Sequence, residues 1–201
     1  SVMSNIDFYF DFLSPYSYLA HCRLPALADK YGYAISYKPI DLKAAKLAAG
    51  NTGPATVQMP VKLRYATADL TRWATKYGAP LAFGKAPPLT ERANKGTFFA
   101  IERGQAREYV SKLWLATFGS GGDFNSDEML SDVSRRLGWS PEEFLAFVQS
   151  DKAQRLYETG NREAQDRGVF GAPIMMVDDE MWWGNDRLDF LEEYLVAHPA
   201  N

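Results

Sequence analysis

The sequence predicts an α/β fold in which the two ends of the chain build one four-stranded sheet and an all-helical domain is inserted between them. Three observations carry this. Residues 6–39 read strand, helix, strand; the stretch after Gly168 reads strand, strand, helix; and between 42 and 167 the strand signal nearly vanishes while helical periodicity takes over. Neither end completes a sheet alone, but βαβ and ββα together do. The predicted division is 4–41 with 168–201 for the sheet-bearing domain and 42–167 for the helical insertion.

Taken in order, Ile6, Phe8, Phe10 and Phe12 fall on one face of an alternating strand over 6–12. A helix follows over 15–31, with Ser14 at its N-cap, Pro15 at the first helical position and Gly32 past its end. Ala34 to Pro39 is the second strand, with Ile35 and Tyr37 sharing a face. In the insertion, Leu63, Ala66, Leu70, Trp73 and Tyr77 recur at helical spacing, as do Tyr109, Leu113 and Leu115. Ser140-Pro141-Glu142-Glu143 is a capping box opening a helix whose apolar face is Phe144, Leu145, Phe147 and Val148. The Gly- and Pro-bearing stretches 50–60, 78–88 and 119–122 read as loops. Ile174 to Val177, a turn at Asp178-Asp179-Glu180 and a return through Met181-Trp182-Trp183 form a hairpin. Gly184-Asn185-Asp186 then opens a closing helix with apolar positions Leu188, Phe190, Leu191, Tyr194 and Leu195.

With 46% hydrophobic residues in 201, the chain can bury a sizeable core. A net charge of -3 without like-charge runs argues against nucleic acid as a partner. No apolar stretch approaches the roughly 20 residues that span a bilayer, and a signal peptide is not apparent, so a cytoplasmic protein without membrane partners is expected. Ser1-Val2 ahead of Met3 has the form of an expression remnant, a point the sequence leaves open. One cysteine, Cys22, rules out an intrachain disulfide and a Cys-x-x-Cys pair; inside the first helix it reads as a small buried hydrophobe. His21 and His198 are too few and too isolated for most metal or Ser-His chemistry, and no metal is expected. An enzyme with these side chains needs a borrowed nucleophile or an electrostatic mechanism.

Three segments converge in such a sheet: Ser14, Gly171-Ala172-Pro173 and Gly184-Asn185-Asp186. Ser14 lies beside four unsatisfied backbone N–H groups and a positive dipole end, which favour an anion such as a thiolate; it equally serves as a plain N-cap. Ala172-Pro173 is either a cis bond presenting Ala172 to an extended peptide or a trans proline that starts a strand. Asn185 and Asp186 are an ordinary N-cap pair, or Asp186 and the free helix N–H groups hold the ammonium and carboxylate of a γ-glutamyl peptide's head group.

Asp-Phe-x-Ser-Pro-Tyr-Ser-Tyr-Leu from Asp11, Gly-Asn-x-Gly-Pro at 50–54, Phe-Gly-Ala-Pro at 170–173 and Trp-Trp-Gly-Asn-Asp-Arg-Leu at 182–188 give the chain a resemblance to the 2-hydroxychromene-2-carboxylate isomerases. That family is allied to the kappa-class glutathione transferases and the DsbA-like branch of thioredoxin folds, and the resemblance covers essentially the whole chain. It implies a thioredoxin-like domain interrupted by a helical one, a homodimer, and glutathione as cofactor. By the same resemblance, Ser14 stands where disulfide oxidoreductases carry a redox-active cysteine and donates its hydroxyl to the glutathione sulfur. Ala172 beside Pro173 pairs with the glutathione backbone, Trp183, Asn185 and Asp186 hold its γ-glutamyl end, and Asn51 and Lys62 its glycine end. Lys46 is a candidate for the substrate carboxylate or an ordinary exposed helix lysine, and Tyr16 and Phe83 are candidate walls for a flat aromatic substrate. Arg72 also matches, although an ion pair with Asp69 explains both. The implied reaction interconverts 2-hydroxychromene-2-carboxylate and trans-o-hydroxybenzylidenepyruvate in bacterial naphthalene breakdown. Two alternatives stay open: a kappa-like glutathione transferase or peroxidase, and a non-catalytic thioredoxin-like binding module.

Overall fold

The computed structural model describes residues 4–200; the Ser1-Val2-Met3 start and residue 201 lie outside the described residues. Strands β1 (Asn5–Phe10) and β2 (Ala34–Pro39) pair in parallel around helix α1 (Pro15–Lys30), with Ile6 opposite Ile35 and Phe8 opposite Tyr37. Strands β3 (Ile174–Val177) and β4 (Glu180–Trp183) close the sheet antiparallel, in the order β2-β1-β3-β4. The hairpin turn is tighter than predicted, because Glu180 already pairs with Val177 and leaves Asp178, in a left-handed conformation, and Asp179 to reverse the chain.

β1 stops at Phe10 rather than running to residue 12. Beyond Phe10 the backbone turns away from the ladder, the Phe12 N–H donating to Asn94 Oδ1 at 3.1 Å, yet the Phe12 ring stays fully buried with Ile6, Phe8 and Phe10. Between β2 and β3 the described chain is helical: α2 (Leu42–Ala48), a 3-10 turn (Thr56–Gln58), α3 (Pro60–Tyr77), α4 (Glu91–Glu102), α5 (Ala106–Ala116), α6 (Asp127–Arg136), α7 (Pro141–Val148) and α8 (Asp151–Asp166). Ser140 caps α7 by accepting from the Glu143 N–H at 3.3 Å, but its hydroxyl turns to Glu142, so only half of the box forms.

Each face of the sheet has its own core. Ile6, Phe8 and Phe10 pack under α1 and meet the insertion through Trp114, whose ring centroid lies 4.9 Å from that of Phe12. Tyr9, Ile174 and Met176 pack on the other face with Ala45 of α2 and Ala164 of α8. Three predicted apolar positions point outward instead: Leu63 of α3, Leu115 of α5 and Phe190. Phe190 belongs to α9 (Leu188–Ala197), which follows a 3-10 turn (Asn185–Arg187) rather than starting at Gly184, and is held by Leu188, Leu191 and Leu195. Among the described residues no helix is long and apolar enough to cross a membrane.

Candidate active site

Ser14 is the N-cap of α1 in extended conformation, and Pro15, which has no N–H to lose and a φ suited to the helix, begins the first turn. The four orphan donors expected there reduce to one. The Ser14 N–H bonds the Asp11 carbonyl at 2.9 Å, Pro15 has none, and the Ser17 N–H bonds Ser14 Oγ at 3.1 Å, which leaves Tyr16 as the free donor among the described hydrogen bonds. Ser14 is buried, and its hydroxyl donates to the Ala172 carbonyl at 3.4 Å. A bond that long is weak, so the proton can turn to a stronger acceptor at little cost.

The Ala172–Pro173 peptide is cis, as one of the two readings of that dipeptide requires. The Gly184 N–H bonds the Pro173 carbonyl at 2.9 Å, joining the proline turn to the Gly184-Asn185-Asp186 segment. The three segments therefore do converge. Gly184 holds φ +99°, a backbone conformation that strains any residue with a Cβ, while the nearest atom to such a Cβ, Asp186 Oδ1 at 2.5 Å, belongs to an exposed side chain that can move aside. Asn185 is buried, its Oδ1 accepting from the Tyr77 hydroxyl at 2.9 Å while Nδ2 has no partner. Trp183 is half-exposed, set edge-on to Phe170 with centroids 5.2 Å apart, and its Nε1 would lie 3.2 Å from a Cβ at Gly171. Asp186 is exposed, 3.5 Å from Arg187.

The other predicted residues lie apart from this network. Lys46 sits near the end of α2, where its carbonyl accepts from the Asn51 N–H at 2.9 Å, and Lys62 occupies the first turn of α3; Asn51 and Lys62 are exposed. Among the described residues no hydrogen bond or ion pair joins these three to Ser14. Tyr16 faces α3, its hydroxyl donating to Asp69 Oδ2 at 2.8 Å; burial and then the Asp69 carboxylate raise its pKa. That bond corrects the expected Asp69–Arg72 pair, since Asp69 is turned to Tyr16 and Arg72 stays at the surface. Phe83 is half-exposed against Phe118 at the end of a file of rings running through Phe124 to Phe12.

Cys22 is also corrected: it is exposed on α1, not buried, but its thiol is pushed up to about 11 by the surrounding protein, which makes it a poor nucleophile near neutrality. His21 is buried against Tyr37, and burial pushes its pKa down to about 3, so it is neutral and structural. Sequence reasoning missed Tyr77, Asp11 and Asn94. Tyr77 had registered only as an apolar helix position, and nothing local reveals that hydroxyl and amide partners lie about a hundred residues apart in sequence.

A helix N-cap facing a cis-proline turn, on a mixed four-stranded sheet with a helical insertion, defines a thioredoxin-like protein without redox cysteines. The chain belongs to the DSBA-like thioredoxin domain family, whose pattern matches residues 5–196. Within it, the chain belongs with the 2-hydroxychromene-2-carboxylate isomerases. It is 45% identical over 187 residues to the 2-hydroxychromene-2-carboxylate isomerase of Pseudomonas putida, covering 93% of this chain and 92% of that one. A solved 2-hydroxychromene-2-carboxylate isomerase superposes with a TM-score of 0.92 at 43% identity, over 96% of this chain and 95% of the other. More distant is glutathione S-transferase kappa 1 of Caenorhabditis elegans, 28% identical over 96% of this chain and 91% of that protein.

Proposed function

We propose that this enzyme is a glutathione-dependent isomerase interconverting 2-hydroxychromene-2-carboxylate and trans-o-hydroxybenzylidenepyruvate, with Ser14 as the residue that touches the reacting sulfur. The carrying observation is the Ser14 hydroxyl, buried at a helix start and only loosely bonded across to Ala172. Near-full-length identity to isomerases of that name supports the substrate pair.

The residues present fit glutathione. The Asn185 Nδ2 donor is buried without a partner, the Ala172 N–H is unpaired among the described hydrogen bonds, and both can donate to the oxygens that a peptide-like carboxylate or carbonyl would bring. Bound glutathione would supply a thiolate, the nucleophile that the side chains of the chain lack, for reversible addition to the conjugated carbon of the open-chain enone. Ser14 would turn its proton from Ala172 O to the sulfur, and the Tyr16 N–H with the positive end of α1 would add to the stabilisation of negative charge there. Lowering a thiol pKa by one unit takes about 1.4 kcal/mol, within the reach of one hydroxyl donor and a helix terminus. Ala172 would pair with the cofactor backbone beside Pro173; Trp183, Asn185 and Asp186 would hold the γ-glutamyl end; Asn51 and Lys62 would close on the glycine end. Lys46 would meet the substrate carboxylate, with Tyr16 and Phe83 as apolar walls.

We take the division at 41/42 and 167/168 as the boundary between glutathione-binding and helical parts, and the cytoplasm as the place of action. We also take the enzyme to be a homodimer, which the exposed apolar run around the start of α3, with Val57 72%, Val61 76% and Tyr65 66% exposed, supports.

The test follows the ultraviolet absorbance of trans-o-hydroxybenzylidenepyruvate with and without glutathione. Wild-type protein should approach one equilibrium from both directions only when glutathione is present, leaving its concentration unchanged, and Ser14→Ala should be about 100-fold slower. Consumption of glutathione would move the assignment to a kappa-like transferase, and no reaction would sink the isomerase.

A further inference from the structure

We infer that Asp11 is the positioning residue of this site, holding the Ser14 turn and the start of α2 in one frame; the inference rests on the role proposed for Ser14. Its basis is the way the backbone from Asp11 to Ser14 is held. The β ladder ends at Phe10, so these residues have no strand partner. In its place the Phe12 N–H goes to Asn94 Oδ1 at 3.1 Å, the Leu13 N–H to Asp11 Oδ1 at 2.9 Å, and the Ser14 N–H to the Asp11 carbonyl at 2.9 Å. One aspartate and one asparagine thus replace the ladder through the last residues before the catalytic hydroxyl.

The same carboxylate reaches two further helices and, through Asn94, a third. Oδ2 accepts from the Leu42 N–H at 2.9 Å, at the first residue of α2, the helix that leads to Lys46 and Asn51. Oδ1 also accepts from Thr90 Oγ1 at 2.7 Å and Asn94 Nδ2 at 2.9 Å, at the start of α4, and Asn94 Nδ2 continues to the Tyr157 hydroxyl of α8 at 2.9 Å. A carboxylate 3% exposed carries a large desolvation cost, and here four donors converge to offset it. The segments it joins are the one that would meet the cofactor's sulfur, through Ser14, and the one that leads to its glycine end, through Asn51, so their relative placement is set from a single side chain.

A charge effect and a positioning effect have opposite signs. An anion near a thiolate raises the thiol pKa, so deleting only the charge would lower it. Losing the placement of Ser14 weakens its donor to the sulfur and raises it.

The experiment compares wild type, Asp11→Asn and Thr90→Val. The Thr90 variant keeps the charge and removes one donor, so it serves even where the Asp11 variant folds poorly. Thiolate absorbance of bound glutathione against pH, kcat and KM, and amide hydrogen exchange of Leu13, Ser14 and Leu42 in the free protein are measured. The expected results for Asp11→Asn are a bound-thiol pKa raised by about one unit, kcat lowered roughly 30- to 100-fold with KM changed less than about 3-fold, and faster exchange at those three amides. Thr90→Val should shift each quantity the same way by less. A thiol pKa that falls or stays fixed, or unchanged exchange at Leu13, Ser14 and Leu42 in both variants, would overturn the positioning role. Absence of a bound thiolate in wild type would overturn the glutathione reading instead, and the exchange data would still decide whether Asp11 holds the turn.

Discussion

At the scale of single residues, burial decides what a titratable group can do. His21 has one Tyr37 hydroxyl 2.7 Å from Nε2 and is otherwise enclosed by Phe8 and Trp114, so burial first, and the Arg107 charge second, push its pKa from 6.5 to about 3. Between these values the unfolded chain binds a proton that the folded one refuses. Stability therefore falls as pH drops from 6.5 toward 3, by at most about 1.4 kcal/mol per pH unit from this group. Urea midpoints measured from pH 7 to 4 should show that slope in wild type and a shallower one in His21→Gln; equal slopes would remove His21 as the cause. The sequence showed an isolated histidine in an apolar helix, which was enough to set aside Ser-His chemistry, but its partner on β2 was not visible.

At the scale of elements, two glycines in helices illustrate how neighbours outweigh propensity. Gly96 in α4 faces Tyr109 of α5 and Phe144 of α7; a Cβ there would overlap the Tyr109 hydroxyl, itself bonded to the Ala93 carbonyl at 2.7 Å, and lie 2.7 Å from the Phe144 ring. Gly160 in α8 meets nothing closer than 3.9 Å. Alanine is intrinsically the better helix former by about 1 kcal/mol at either position. Gly160→Ala should therefore stabilise by about 0.5–1 kcal/mol, whereas Gly96→Ala should destabilise by about 1–3 kcal/mol, read as opposite shifts in denaturation midpoint. Helix existence was legible from periodicity and caps, as at Ser140 and Ser14. Which outward position of a stripe is used was not, because Leu63, Leu115 and Phe190 fit their helices as well as the residues that became buried.

At the scale of the whole molecule, the helical insertion contributes to the cores on both faces of the sheet, Trp114 packing on Phe10 and Phe12 and Ala164 joining Tyr9 and Met176. Among the apolar side chains left exposed is the run around the start of α3, with Val57, Val61 and Tyr65. If it is the homodimer contact, Val61→Glu should shift the mass measured by light scattering from dimer to monomer with far-ultraviolet circular dichroism unchanged; a wild-type monomer would refute the assignment. Legible in the residues alone were the split sheet, the helical character of the insertion, the Ser14 cap and the lack of a Cys-x-x-Cys pair, because strand alternation, helix periodicity, capping and cysteine count are all local properties. The cis form of the Ala172–Pro173 bond, the turn of Asp69 toward Tyr16, the orphaned amide of Asn185 and the convergence of four donors on Asp11 emerge only from the packed fold. Each depends on partners brought together across the fold, and the burial that makes an unpaired or multiply paired polar group consequential exists only once the chain has packed.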